Sequence, residues 1–224
     1  MGIIERKSRE REHRRQLITD IAKELILEDG VEAVTMLGIA KKAGLSKAAL
    51  YLSFESKDEI LERIFDEAVS RFIDYVEAHI SRESTGLEAL KTFWMSYIEV
   101  FGSSSEILVL FGIKNYIAPG FPAFVEPSPR DEGKSHFRLF RLLADTVARG
   151  MADGTLESSK DAVQVSRTIL TICGGIIDNV ARLPLERRNG SLIIGEMKSA
   201  FEIVMWGLAS DRRNPSSLVL PVTR

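Results

Sequence analysis

The chain has 224 residues, of which 45% are hydrophobic and 28% charged, with a formal net charge of −2; these proportions suit one or two globular domains and exclude a wholly disordered or low-complexity chain. A single cysteine, Cys173, excludes an internal disulfide framework and a multi-cysteine zinc module. The apolar run around Ile169–Ile177 is too short to span a bilayer, and Met1–Arg15 is charged and polar rather than a signal peptide, so a cytoplasmic protein with no membrane partner is expected.

Charge and aromatic content divide the chain. Residues 1–57 hold 11 Lys/Arg against 9 Asp/Glu, net +2, and the remainder is net −4. Tyr51 and Phe54 are the only aromatics in 1–57, whereas ten lie between Phe93 and Phe140. The expected organisation is a small basic N-terminal domain over 1–57, a larger helical domain over 58–211 and a flexible tail over 212–224.

In chain order, Leu17, Ile18, Ile21, Ala22, Leu25 and Ile26 repeat at helical spacing and predict a first helix from about Arg9 to Glu28, stopped by Gly30. Thr35 can cap a short second helix with Ile39 and Ala40 facing inward. Ala43-Gly44-Leu45 reads as a tight turn, and Ser46 can cap a third helix carrying Lys47 to Tyr51. Ser56-Lys57-Asp58-Glu59 has the form of a capping box opening a fourth helix. Its apolar stripe from Ile60 to Ile80 implies a rod of about 37 Å, long enough to connect both units rigidly.

Thr85–Glu88 and Ser103–Glu106 repeat the capping pattern and predict helices near 86–101 and 105–117. Pro119, Pro122, Pro127 and Pro129 forbid a regular helix over 118–130, which reads as a lid or a surface loop. Helices are expected again near 131–152, 159–182 and 190–210. No segment keeps strand periodicity, so the predicted fold is all-α.

Thr35–Phe54 is the informative stretch. Two short helices joined by a glycine turn admit two readings: an ordinary helical hairpin, or a helix-turn-helix whose second helix enters the DNA major groove. The residues themselves resemble the TetR family of bacterial transcriptional regulators: Ile39-Ala40, Ala43-Gly44-Leu45-Ser46, Leu50-Tyr51, Phe54, and Ser56-Lys57 followed by Ile60-Leu61. The resemblance covers roughly residues 10–65. It departs at Ala48, a common glycine position, at Leu52, where an aromatic is frequent, and at Ser53, where histidine is frequent.

The resemblance implies an N-terminal DNA-binding unit and a C-terminal domain that forms a homodimer and binds a small-molecule inducer. The DNA-binding candidates are Thr35, Ser46, Lys47, Ala48, Ala49, Tyr51 and Lys57. Lys47 can meet phosphate or a base edge, and Tyr51 can offer its hydroxyl to phosphate or simply pack. Lys57 can add a phosphate contact beside backbone N–H groups. Ala48 and Ala49 are small enough to meet thymine methyl groups.

Two further candidate sets lie in the larger unit. Ile169–Ile177 is apolar around the whole helix and contains Gly174-Gly175, which suits close backbone approach. Together with the last helix it nominates Ile169, Ile172, Gly175, Ile176, Met197, Phe201 and Val204 for a four-helix dimer interface. Phe93, Trp94, Tyr97, Phe101, Phe111, Phe137 and Phe140, with Cys173, are candidates to line a pocket for an apolar or aromatic ligand. Few cations interrupt them, so a highly charged anion fits poorly.

Enzyme chemistry finds little support. His13, His79 and His136 are far apart without metal spacing, and neither a glycine-rich phosphate loop nor a nucleophile elbow is present. No cofactor, metal site or catalytic group is expected. The functional expectation is a repressor that binds a palindromic double-stranded operator as a dimer and is released by a small ligand; the alternative is a dimeric DNA-binding protein controlled by a protein partner.

Overall fold

The computed structural model describes residues 3–80, 85–103, 113, 135–181, 183, 187 and 190–211. Among them every regular element is an α-helix: α1 Ile3–Asp29, α2 Met36–Lys42, α3 Lys47–Tyr51, α4 Lys57–His79, α5 Gly86–Ser103, α6 Ser135–Ala152, α7 Ala162–Ala181 and α8 Gly190–Leu208. The expected helix at 105–117, the proline-rich 118–130 and the tail 212–224 lie outside the described residues, Ile113 excepted. No helix among the described residues is long and apolar enough to cross a membrane.

The chain forms two compact units, one running to Glu67 and including Ile113, the other beginning at Ala68. The division falls within α4. That helix gives Ile60, Leu61 and Ile64 to the first core and Phe72, Ile73 and Val76 to the buried set of the second.

In the first unit α1 begins at Ile3, earlier than the apolar stripe indicates. Its opening turns are exposed and charged, and Arg6 and Glu10 pair one turn apart at 3.5 Å, which supports a solvated helix without a core contact. Further along, Ile18, Ala22 and Ile26 bury one stripe against Val31, Val34, Ile39, Leu50 and Phe54, and Ile113 joins them. Each of the larger side chains among them, from Val to Phe, stabilises the fold by about 1.5–3 kcal/mol.

The second unit packs α5 on α6 and α8, and α7 on α6 and α8. Trp94 ties α5 to α8: its indole N–H donates to the Met197 carbonyl at 2.9 Å, and its ring meets Phe201 edge-on at 5.4 Å. A bare backbone contact holds the start of α5 to the end of α6. A Cβ at Gly86 would stand 2.1 Å from the Gly150 Cα. The α5 N-terminus is capped from three sides: Gly86 N–H donates to Asp153 at 2.7 Å, Leu87 N–H to Thr155 at 3.1 Å, and Glu88 N–H to Thr85 at 3.2 Å. The Glu88 carboxylate, expected to reach back in a capping box, instead pairs with Lys91 at 3.0 Å. An isolated antiparallel bridge between Leu156 and Ala209 follows the end of α8.

Candidate nucleic-acid interface

Helices α2 and α3 are short, so their ends decide whether they form at all. Thr35 caps α2, its Oγ1 accepting from Gly38 N–H at 3.1 Å. Ser46 caps α3, its Oγ accepting from Ala49 N–H at 3.1 Å. Between them Gly44 has φ 65°, a left-handed conformation that strains any residue with a Cβ. Leu45 N–H closes the turn on the Ala40 carbonyl at 2.9 Å.

These constraints fix the faces of α3. Leu50 is fully buried, with Phe54 beneath the turn that follows. Lys47, Ala48, Tyr51 and Leu52 are exposed, and Ala49 is half-buried. Tyr51 is 43% exposed, so it is a surface residue rather than a core one. The Lys47 ammonium lies 5.8 Å from the centre of its ring, keeping cation and phenol together on the outer face. Thr35 is exposed as well, and a hydroxyl that accepts from a backbone N–H can still donate its own proton.

Lys57, the other phosphate candidate, is anchored within its own unit. It is half-buried, and its ammonium donates to the Val31 carbonyl at 2.6 Å, tying the start of α4 to the segment after α1. Lys42 is paired with Glu28 at 2.9 Å and Glu24 at 3.4 Å, and the hydrogen bond to Glu28 raises its pKa.

Arg15 organises the site, and the sequence reading missed it. Its guanidinium donates to the Ser53 carbonyl just past α3, reaches Glu59 at 3.0 Å and lies 4.0 Å over the Phe54 ring. One side chain of α1 thereby fixes the exit of α3 and the entry of α4. The signal was present, because Arg15 is in register with Ile18, Ala22 and Ile26 on the buried stripe of α1. Burial raises the Glu59 pKa, but the Glu55 N–H and the Arg15 charge outweigh it and hold the carboxyl below its ordinary value. The predicted capping box is thus shifted by one residue: Ser56 Oγ accepts from Glu59 N–H at 3.2 Å, while the Glu59 carboxylate takes the N–H of Glu55 at 2.7 Å. Ser53, at a position often occupied by histidine in the resembled family, is buried and offers no outward contact.

In the second unit, Phe93, Trp94, Tyr97 and Cys173 are buried, and Phe137 and Phe140 half-buried. Phe72, Phe93 and Tyr97 form a ring cluster with centroids 5.0–6.1 Å apart. Burial pushes the Cys173 thiol up to about 12, so it stays protonated and unreactive at neutral pH. The Phe101 side chain and Phe111 lie outside the described residues.

The dimer candidates divide. Ile169, Met197 and Phe201 are at most 1% exposed within one protomer, so they have no surface to offer a second one. Ile172, Ile176 and Val204 are half-buried and Gly175 is exposed, with nothing within 4 Å of a Cβ built there. On α8 the outward stripe is Leu192, Gly195, Ser199, Ile203 and Trp206, with Ile203 74% and Trp206 44% exposed. Helix α8 is apolar on two faces, and periodicity alone does not say which face the protomer's own core takes.

Comparison with known proteins agrees with this geometry. Residues 18–64 match the family model described as bacterial regulatory proteins, tetR family. The chain is 35% identical over 153 residues to the HTH-type transcriptional repressor KstR2 of Rhodococcus jostii, spanning 66% of this chain and 70% of that protein. It is 37% identical over 73 residues to the fatty acid metabolism regulator protein of Bacillus subtilis, a match spanning 33% of this chain and only 38% of that protein. The crystal structure of the transcriptional regulator FadR from Bacillus subtilis in complex with stearoyl-CoA superposes with a TM-score of 0.63 at 20% identity, over 86% of this chain and 98% of that one, which speaks to the fold.

Proposed function

The chain belongs to the TetR family of bacterial transcriptional regulators, and on that premise we propose that it is a repressor that binds a palindromic operator as a homodimer and is released by a small, largely apolar ligand. The observation that carries the DNA-binding part is α3 itself. A doubly capped helix-turn-helix holds Leu50 inward and turns Lys47, Ala48, Tyr51 and Leu52 outward. Lys47, Tyr51 and Thr35 grip phosphate and fix register, while Lys57 positions α4.

Dimerisation uses the outward stripe of α8 and the Ile172–Gly175–Ile176 face of α7. Exposed Ile203 and Trp206 beside glycines with open Cβ positions suit close packing against a second copy. The ligand occupies the aromatic unit around Phe93 and Tyr97. Stearoyl-CoA, held by a regulator of similar fold, joins a long apolar chain to a charged head; the chain is the part that aromatic surroundings suit. Release requires the ligand to prefer a state in which the two recognition helices no longer match their half-sites, and moving from 1:99 to 99:1 takes about 5.5 kcal/mol of such preference.

The test is an operator-binding titration with stearoyl-CoA and with free stearate, alongside thermal melts. A ligand that raises the melting temperature is expected to weaken operator binding. Stoichiometric binding with unchanged operator affinity refutes release by ligand and favours control by a protein partner.

A further inference from the structure

The outermost line of α3 carries no hydrogen-bonding side chain. At about 100° per residue, Ala48 and Leu52 stand about 20° to either side of the direction opposite the buried Leu50. Lys47 and Tyr51 lie on one flank, and Ala49 on the other, half-buried. Ala48 and Leu52 are one turn apart, joined by the Leu52 N–H to Ala48 carbonyl bond at 3.0 Å, so their side chains form one apolar ridge. Leu52 is 75% exposed, and nothing in its own unit covers it.

A helix seated in the major groove presents its crown to base edges and its flanks to the phosphates. Base edges there offer donors and acceptors, which an Ala–Leu ridge cannot satisfy, and one apolar group, the thymine 5-methyl. Seating the ridge against guanine or adenine would leave their polar edges dry and unpaired, which is unfavourable. On the reading of α3 as the recognition helix, we propose that Ala48 and Leu52 determine operator specificity by packing on thymine methyl groups in each half-site, with Leu52 contributing the larger contact. Lys47 and Tyr51 then supply affinity from the flank rather than sequence choice.

Removing a thymine methyl isolates this contact, because uracil keeps every hydrogen-bonding atom. The experiment selects duplexes from a random pool with the full chain, then replaces each thymine of the enriched half-site by deoxyuridine, singly and in symmetric pairs. One buried methyl is equivalent to about a four-fold change in affinity, so a symmetric pair is expected to weaken binding about fifteen-fold. Leu52→Ala, at a site outside the core, is expected to bind the uracil and thymine duplexes alike at the position it contacts. Equal affinity for thymine and uracil at every position overturns the proposal and leaves the regulator reading intact. A thymine preference unchanged in both Leu52→Ala and Ala48→Gly assigns the contact to other residues and also overturns it. Failure to enrich any sequence overturns this proposal together with the reading on which it rests.

Discussion

Replacing Arg15 by glutamine removes three contacts at once: the hydrogen bond to the Ser53 carbonyl, the ion pair with Glu59 and the guanidinium over Phe54. The Arg15 and Glu59 side chains are 20% and 36% exposed, so solvent screens the ion pair and it contributes about 0.5–1 kcal/mol. The carbonyl bond adds about 1 kcal/mol and the ring contact about 0.5–1 kcal/mol. The first unit should therefore lose about 2–3 kcal/mol. Both tryptophans, Trp94 and Trp206, lie beyond Ala68, so their fluorescence reports the second unit while far-ultraviolet circular dichroism reports helices in both. Urea unfolding followed by dichroism should show the loss for Arg15→Gln, whereas Arg14→Gln, at an exposed neighbour, should stay within about 0.5 kcal/mol of wild type. Operator affinity should fall with Arg15→Gln even where dichroism shows intact helix, because the exit of α3 is no longer held. An Arg15→Gln variant as stable as Arg14→Gln would refute the role given to this side chain.

Three further outcomes follow from the same structure. The Glu12 carboxyl is held below its ordinary value by the Arg63 hydrogen bond, Asp153 by the Thr155 hydroxyl and the Gly86 N–H, and Glu59 as described above. A depressed carboxyl stabilises the fold above its unfolded pKa and loses that effect as pH falls through the folded value, so urea midpoints should drop below about pH 4, with a shallower drop in Glu59→Gln. Gly86→Ala forces a Cβ to 2.1 Å from Gly150 and pushes apart the Asp153 and Thr155 caps; it should destabilise by about 2–4 kcal/mol despite the better helix propensity of alanine, measured by urea unfolding. Gly175→Ala meets nothing in its own protomer and should leave its folding intact, while Gly175→Leu should lower dimer mass in analytical ultracentrifugation.

The core of the first unit was legible because short-range chemistry dictates it. Ile39, Ala40 and Leu50 are apolar at helical spacing, Gly44 takes the one left-handed position of the turn, and Thr35 and Ser46 are the capping types that the two helix starts need. What escaped depended on partners distant in sequence. Nothing near Arg15 announces Ser53 or Glu59, and nothing near Lys57 announces the Val31 carbonyl. The two apolar faces of α8 were indistinguishable for a related reason: Met197 and Phe201 are as apolar as Ile203 and Trp206, and it is packing against α5, where the Trp94 ring meets Phe201, that buries the first pair. Gly86 and Gly150 form a pair that no local pattern links, since their value lies in the missing side chains.

The decisive measurement of operator recognition by α3 is selection of bound duplex from a random pool by the full chain, repeated with Lys47→Ala. An enriched near-palindrome is expected, with half-site centres about one helical turn apart or a multiple of it. Lys47→Ala should weaken binding across sequences and lower the salt slope by about one. A pool that emerges without any enriched sequence at moderate salt, or a Lys47→Ala variant with unchanged affinity and salt dependence, would contradict operator recognition by α3.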